Sequence, residues 1–335
     1  MITRRDLLSI LAAQWLTMPL VVAQPKKTWR LGFLIPSLPF RPGEPNLYGT
    51  AFVQEMQAQG YSYEIDYQVE IKSADGNFAR LPALASELAG TVDVLVPIST
   101  AAARAAYQAT RTVPIVFVGV HDPVGLGLAP SLSRPGGNIT GVATFYGELI
   151  PKQMELLKAI APNLSRIGIL TNEDFESYPD LTRTVRTAAA ALTATTQFFK
   201  GGSEEQIERS FAAMVRERMS AVIVVSDPDM LAQRQRIAQL AAEHRLASMF
   251  AHRENVVAGG LICYGESATE EFLMAARYVA RVLKGDKPGD LPIEQPTTFE
   301  LVINRGAARA IGLSIPQDLL VRAEIVDQPP AVEHP

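Results

Sequence analysis

The sequence predicts an α/β fold of two doubly wound lobes with parallel sheets, joined by a hinge that the chain crosses several times. Three observations carry this prediction. Short runs rich in Val and Ile alternate with longer stretches of helical spacing, the pattern of βα units on parallel sheets. The chain has 335 residues, 47% of them hydrophobic, enough for two cores rather than one. Two pairs of segments also echo each other: "RLGFLIPS" at 30–37 in "RIGILTNE" at 166–173, and "VFVGVHDP" at 116–123 in "VIVVSDP" at 222–228. Spacings this long exclude a solenoid and fit two related lobes.

The first 23 residues read as an export leader. Arg4 and Arg5 precede an apolar stretch from Leu7 to Val22, with Val21 and Ala23 at the −3 and −1 positions of a cleavage site. Thr3-Arg4-Arg5-Asp6-Leu7-Leu8 resembles the twin-arginine signal. Gln14, Thr17 and Pro19 interrupt the stretch, which is short for the roughly 20 residues of a bilayer span. The expectation is therefore a periplasmic protein without membrane insertion after leader removal. Cutting after Ala23 removes two of 31 basic and one of 35 acidic residues, taking the net charge from −4 to −5. That balance attracts neither nucleic acid nor anionic lipid. Cys263 is the single cysteine, so no intrachain disulfide forms and stability comes from packing.

After the leader, strands are predicted at 30–35, 64–71, 92–97, 114–119, 138–144, 166–171, 195–199, 221–225 and 247–250. Ser203 with Gln206 and Ser267 with Glu270 match capping boxes. The second opens a helix whose stripe of Phe272, Leu273, Ala276, Val279 and Leu283 ends before Gly285. Crossings are expected near 144–148, 262–266 and 295–300, and "KGDKPGDLPIEQP" at 284–296 as a surface excursion. The expected division is 28–145 plus 265–297 for one lobe and 146–264 plus 298–330 for the other.

Ligands of such sheets sit beyond the carboxyl ends of the strands. The residues there are Ser37, Ser99, Thr100, His121, Asp122, Thr144, Tyr146, Asn172, Asp227 and Tyr264. Ser99 and Thr100 open an Ala-rich helix, where the dipole and unpaired N–H groups favour a carboxylate; capping is the competing role. Asp122 and Asp227, each followed by proline, are placed either to accept a ligand ammonium or to cap the next helix. Tyr146 and Tyr264 lie at crossings and offer flat apolar surface.

Catalysis finds no motif. "FVGVHDPVGLGL" at 117–128 has two spaced glycines, but Pro130 stands where a third glycine is required for a dinucleotide loop. Adjacent His121 and Asp122 on extended backbone point to opposite sides and make a poor dyad. The four histidines lack metal-ligand spacing, so neither metal nor cofactor is expected.

The segments "DGNFARLPALASELAG" (75–90), "VPIVFVGVHDPVGLGLAPSLSRPGGNITGV" (113–142), "MELLKAIAPNLSRIGIL" (154–170), "AVIVVSDP" (221–228), "HRLASMFAHRENVVAGGLICYG" (244–265) and "LPIEQPTTFELVINRGAARAIGLSIP" (291–316) resemble, in number and order, the tryptophan/tyrosine-type substrate-binding proteins of ABC importers. The resemblance spans nearly the whole mature chain. It implies two Rossmann-like lobes of the type I periplasmic binding fold, closing over a small organic ligand, an amino acid or aromatic carboxylate. The ligand would pass to a membrane permease served by a separate ATPase subunit, with the receptor a monomer. It also implies that a ligand carboxylate meets Ser99 and Thr100 and an ammonium meets Asp122 or Asp227. A sensing receptor without transport and an exported two-lobed enzyme stand as alternatives. A DNA-binding regulator of this fold would need a headpiece where this chain carries its leader.

Overall fold

Strands buried on both faces need apolar residues at consecutive positions, and the chain spends such runs on two separate sheets. The structure is a computed structural model and describes residues 27–37, 46–144, 146–171, 179–225 and 228–328. The expected leader lies outside these residues, and so do Asn172 and Asp227.

The first sheet contains β1 (Trp29–Ile35), β2 (Tyr67–Ser73), β3 (Val94–Pro97), β4 (Ile115–His121) and β5 (Ile139–Thr144), all parallel, in the order β2-β1-β3-β4-β5. Helices α1 (Leu47–Ala58), α2 (Leu81–Ala89) and α3 (Thr100–Ala109) connect them. The chain then enters α4 (Tyr146–Ile160) and builds a second sheet: β6 (Arg166–Thr171), α5 (Pro179–Ala191), β7 (Thr195–Lys200), α6 (Glu204–Arg216), β8 (Ala221–Val224), α7 (Pro228–Ala232), α8 (Arg234–Glu243), β9 (Ala247–Phe250), α9 (Arg253–Val257) and β10 (Ile262–Glu266). Next, α10 (Ala268–Leu283) returns to pack on α1, β4 and β5. Finally β11 (Phe299–Asn304), α11 (Arg305–Ala310), α12 (Gln317–Arg322) and β12 (Glu324–Val326) complete the second sheet, ordered β7-β6-β8-β9-β10-β11-β12.

The first five strands of each sheet share one order, with β1 and β6 equivalent. The echo between 30–37 and 166–173 therefore begins on matching strands. The echo between 116–123 and 222–228 does not: it joins β4, fourth in its lobe, to β8, third in the other. Two buried parallel strands simply draw on the same Val and Ile.

Alternation within a strand divides the cores. In β4, Val116 and Val118 join Leu31, Phe33, Phe52 and Val279 on one face of the first sheet, while Ile115 and Phe117 join Leu34, Leu88 and Ala106 on the other. In the second sheet, Ile167, Ile223 and Met249 face α4 and α5, and Leu170, Val222 and Phe250 face α6 and α8. Gly141 in β5 has φ +149°, and a Cβ there would meet the Phe117 backbone.

Four expectations need correction. The sheets are not wholly parallel, because β10 leaves and β11 enters at the same end, so that pair runs antiparallel. Strands β10, β11 and β12 are unforeseen: 262–266 and 295–300 do lead between the lobes but also hold β10 and the start of β11, and β12 lacks any alternating signal long enough to read. The excursion at 284–296 is not a free surface loop: Leu291 and Ile293 are buried, and Glu294 pairs its backbone with Gly141 and Ala143 along the edge of β5. The cap bond expected at Ser203 forms, its Oγ accepting from Gln206 N at 3.3 Å, but Ser267 makes no side-chain cap bond.

Candidate functional site

The carboxyl ends of the two sheets meet. From the first come Ser37 after β1, the turn after β2, Ser99 and Thr100 after β3, His121 and Asp122 at the end of β4, and Thr144 at the end of β5. From the second come Asp229, Leu231 and Arg234 after β8, and His252, Glu254 and Asn255 after β9.

Their closest meeting is between Ser37 and Asp229. The Ser37 hydroxyl donates to Asp229 Oδ1, with both residues buried. Burial raises the Asp229 carboxyl above its ordinary value, and the donation from Ser37 opposes that rise. Gly76, at φ +78°, runs past both: a Cβ there would lie 3.7 Å from Ser37 Oγ and 3.9 Å from Asp229 Oδ1. Nearby, the buried phenol of Tyr48 on α1 faces the Glu254 carboxylate of α9. Burial first, and Glu254 second, push its pKa well above 10.0, while Arg234 acts in the opposite direction.

Ser99 sits at φ +91°, a conformation costly for a residue with a side chain, held by its N–H donating to Val118 O at 2.9 Å. Its Oγ accepts from Ala102 N at 3.4 Å and caps α3. Thr100 Oγ1 accepts the His121 N–H at 3.1 Å. These bonds use oxygen lone pairs; among the described residues, neither hydroxyl proton is donated. Two O–H donors therefore stand at the positive end of a ten-residue helix. His121 is half-buried, and desolvation lowers its pKa while Asp122 opposes that shift.

Asp122 is exposed at φ +42°, and its Oδ1 accepts from Gly125 N at 2.9 Å, capping the turn that follows. Its carboxylate occupies the place a Gly125 Cβ would take. Thr144 is half-buried beside His121. The Tyr146 backbone opens α4, while its side chain lies outside the described part. Tyr264 stacks on Phe299, 6.0 Å between ring centroids, and its carbonyl accepts from Gln153 Nε2 at 2.7 Å, which fixes a half-buried ring beside the crossings.

Arg234, His252 and Glu254 are not singled out by the sequence as site residues. Arg234 carried a usable signal, being a cation at the start of the apolar-periodic stretch 234–241; it is buried, with Nη1 donating to Leu231 O at 3.0 Å. His252 is half-buried, and desolvation of its ring lowers its pKa. A small recess lies here, lined by Val224, Val225, Met230, Leu231, Ala251, His252 and Asn255. Among the described residues, no group of three or more His, Cys, Asp or Glu is placed to hold a metal ion, and no helix is long and apolar enough to cross a membrane. Hydroxyl donors on one side of the cleft and buried acids with an arginine on the other can hold a small polar molecule by both ends.

The tyrosine-binding protein of Clostridioides difficile is 25% identical over 272 residues, covering 78% of this chain and 75% of that protein. A conserved domain protein from Vibrio cholerae superposes with a TM-score of 0.80 at 26% identity, over 89% of this chain and 99% of its own. An ABC domain from Streptococcus pneumonia in complex with L-Trp gives a TM-score of 0.80 at 23% identity, over 90% and 100%. Two sheets of this order, meeting at their carboxyl ends, are the type I periplasmic binding fold. Residues 49–327 match the family described as ABC transporter substrate binding protein; this chain belongs to that family and is the substrate-binding receptor of an ABC transporter.

Proposed function

We propose that the ligand is an amino acid, with an aromatic side chain as the first choice. The lobes, 28–145 plus 265–297 and 146–264 plus 298–330, close over it and present it chemically intact to a membrane permease driven by a separate ATPase subunit. The receptor works as a monomer in the periplasm. Ser99 and Thr100 donate to the ligand carboxylate; Asp229 accepts from the ammonium, with Asp227 and Asp122 as further acceptors; Ser37, Thr144, Tyr146, Asn172 and Tyr264 line the remainder. The observation that carries the reading is the apposition of Ser37 and Asp229 from different sheets, which brings donors and acids together across one cleft. The relatives named for tyrosine and solved with L-Trp support the ligand class.

Calorimetric titration with the twenty amino acids and with their decarboxylated and deaminated aromatic analogues tests it. Binding of an aromatic amino acid, lost with either analogue, is the expected result. Failure of every amino acid to bind the folded protein would remove the reading.

A further inference from the structure

The second sheet reaches into the first through one short helix. α7 (Pro228–Ala232) carries Asp229, bonded to Ser37, and Leu231, which is 5% exposed and belongs to the same buried cluster as Phe33, Tyr48 and Phe52 of the first lobe. One helical turn thus supplies a polar and an apolar contact to the opposite lobe. We propose that α7 is a built-in latch that holds the two lobes together before any ligand arrives, with Ser37–Asp229 and the seating of Leu231 as its two contacts.

The physics favours a closure that is poised rather than locked. Parting the lobes returns Ser37 and Asp229 to water, so the net worth of their bond is modest, but it also exposes Leu231 and uncovers part of the first lobe's apolar cluster. Gly76 makes the approach possible, since its left-handed turn places no side chain between the partners. A ligand then strengthens an existing closed state in proportion to its preference for that state, instead of creating it. The inference rests on the two-lobed receptor reading but needs no particular ligand.

The test uses unliganded protein with spin labels at exposed Gln57 and Glu205, on α1 and α6. Cys263 is buried with its thiol pKa raised, and stays unlabelled. The wild type should show a major short-distance population without ligand. Ser37→Ala and Leu231→Ser should each lower the short-to-long ratio about tenfold, while Ser37→Thr, which keeps the hydroxyl, retains it. Should Leu231→Ser impair folding, Ser37→Ala carries the test alone, since it removes one atom at a chain turn. A wild type wholly in the long-distance state, or a Ser37→Ala distribution identical to wild type, overturns the latch. Because no ligand is added, either outcome is independent of whether amino acids bind.

Discussion

Ser267 donates its hydroxyl to Glu300 Oε1 at 3.0 Å, joining two of the chain segments that pass between the lobes. Glu270, the residue expected to complete a capping box with Ser267, instead accepts from Thr298 N at 2.9 Å. Both ends of the expected box are thus turned toward the returning strand, and the hinge is laced by two glutamates. Ser267→Ala leaves the half-buried Glu300 carboxylate without this donor and should cost about 1–3 kcal/mol of unfolding free energy in urea. An unchanged midpoint would show the lacing to be idle.

Glu271, next along α10, has its carboxyl 3.2 Å from where a Gly119 Cβ would stand. Burial, then Glu266 and Glu270, hold its pKa well above the ordinary 4.5. The folded state therefore keeps this proton to higher pH than the unfolded chain does. Stability contributed by the neutral carboxyl is present at low pH and is lost as pH rises from about 4.5 through the folded-state value. Glu271→Gln should melt above the wild type at pH 8 and near it at pH 4.5, in scans across that range. A variant whose melting tracks wild type at every pH would contradict this.

Ser99 combines a cap with a strained backbone, and two substitutions separate its roles. Ser99→Ala loses the cap at φ +91° and should destabilise by about 1–2 kcal/mol. Ser99→Gly relaxes the backbone and should cost only about a few tenths. Both lack the hydroxyl proton, so both should weaken a carboxylate-bearing ligand by about tenfold in calorimetry. Full affinity in Ser99→Gly would confine this residue to capping.

Asp229 and Asp122 should behave differently. Asp229→Asn keeps the shape of a buried side chain but removes its charge, and should weaken an ammonium-bearing ligand by about tenfold or more. Asp122→Asn changes an exposed carboxylate already used by the Gly125 turn and should alter affinity by less than about threefold. The reverse ranking in titrations of the two variants would move the ammonium site to the first lobe.

The lobes were legible because buried parallel strands announce themselves as continuous apolar runs; β4 and β5 were placed within a residue or two at their starts. β2 begins at Tyr67 rather than at 64 because Asp66 Oδ2 accepts from Ser62 N and closes a turn there, a local bond that no periodicity reveals. β10, β11 and β12 were missed because their place is set by chain that goes to the other lobe and returns. At the site, Ser37, Ser99 and Thr100 stood out because strand ends and helix starts are readable along one lobe. Arg234 and Glu254 did not, since their meaning comes from the opposite lobe, which only the folded chain supplies.

The most direct test of two lobes gripping one small molecule is a crystal structure grown with L-tyrosine or L-tryptophan. The ligand should lie between the start of α3 and Asp229, its carboxylate on the Ser99 and Thr100 hydroxyls and its ammonium on the acids of the second lobe. A ligand bound to one lobe only, or away from these strand ends, would contradict it.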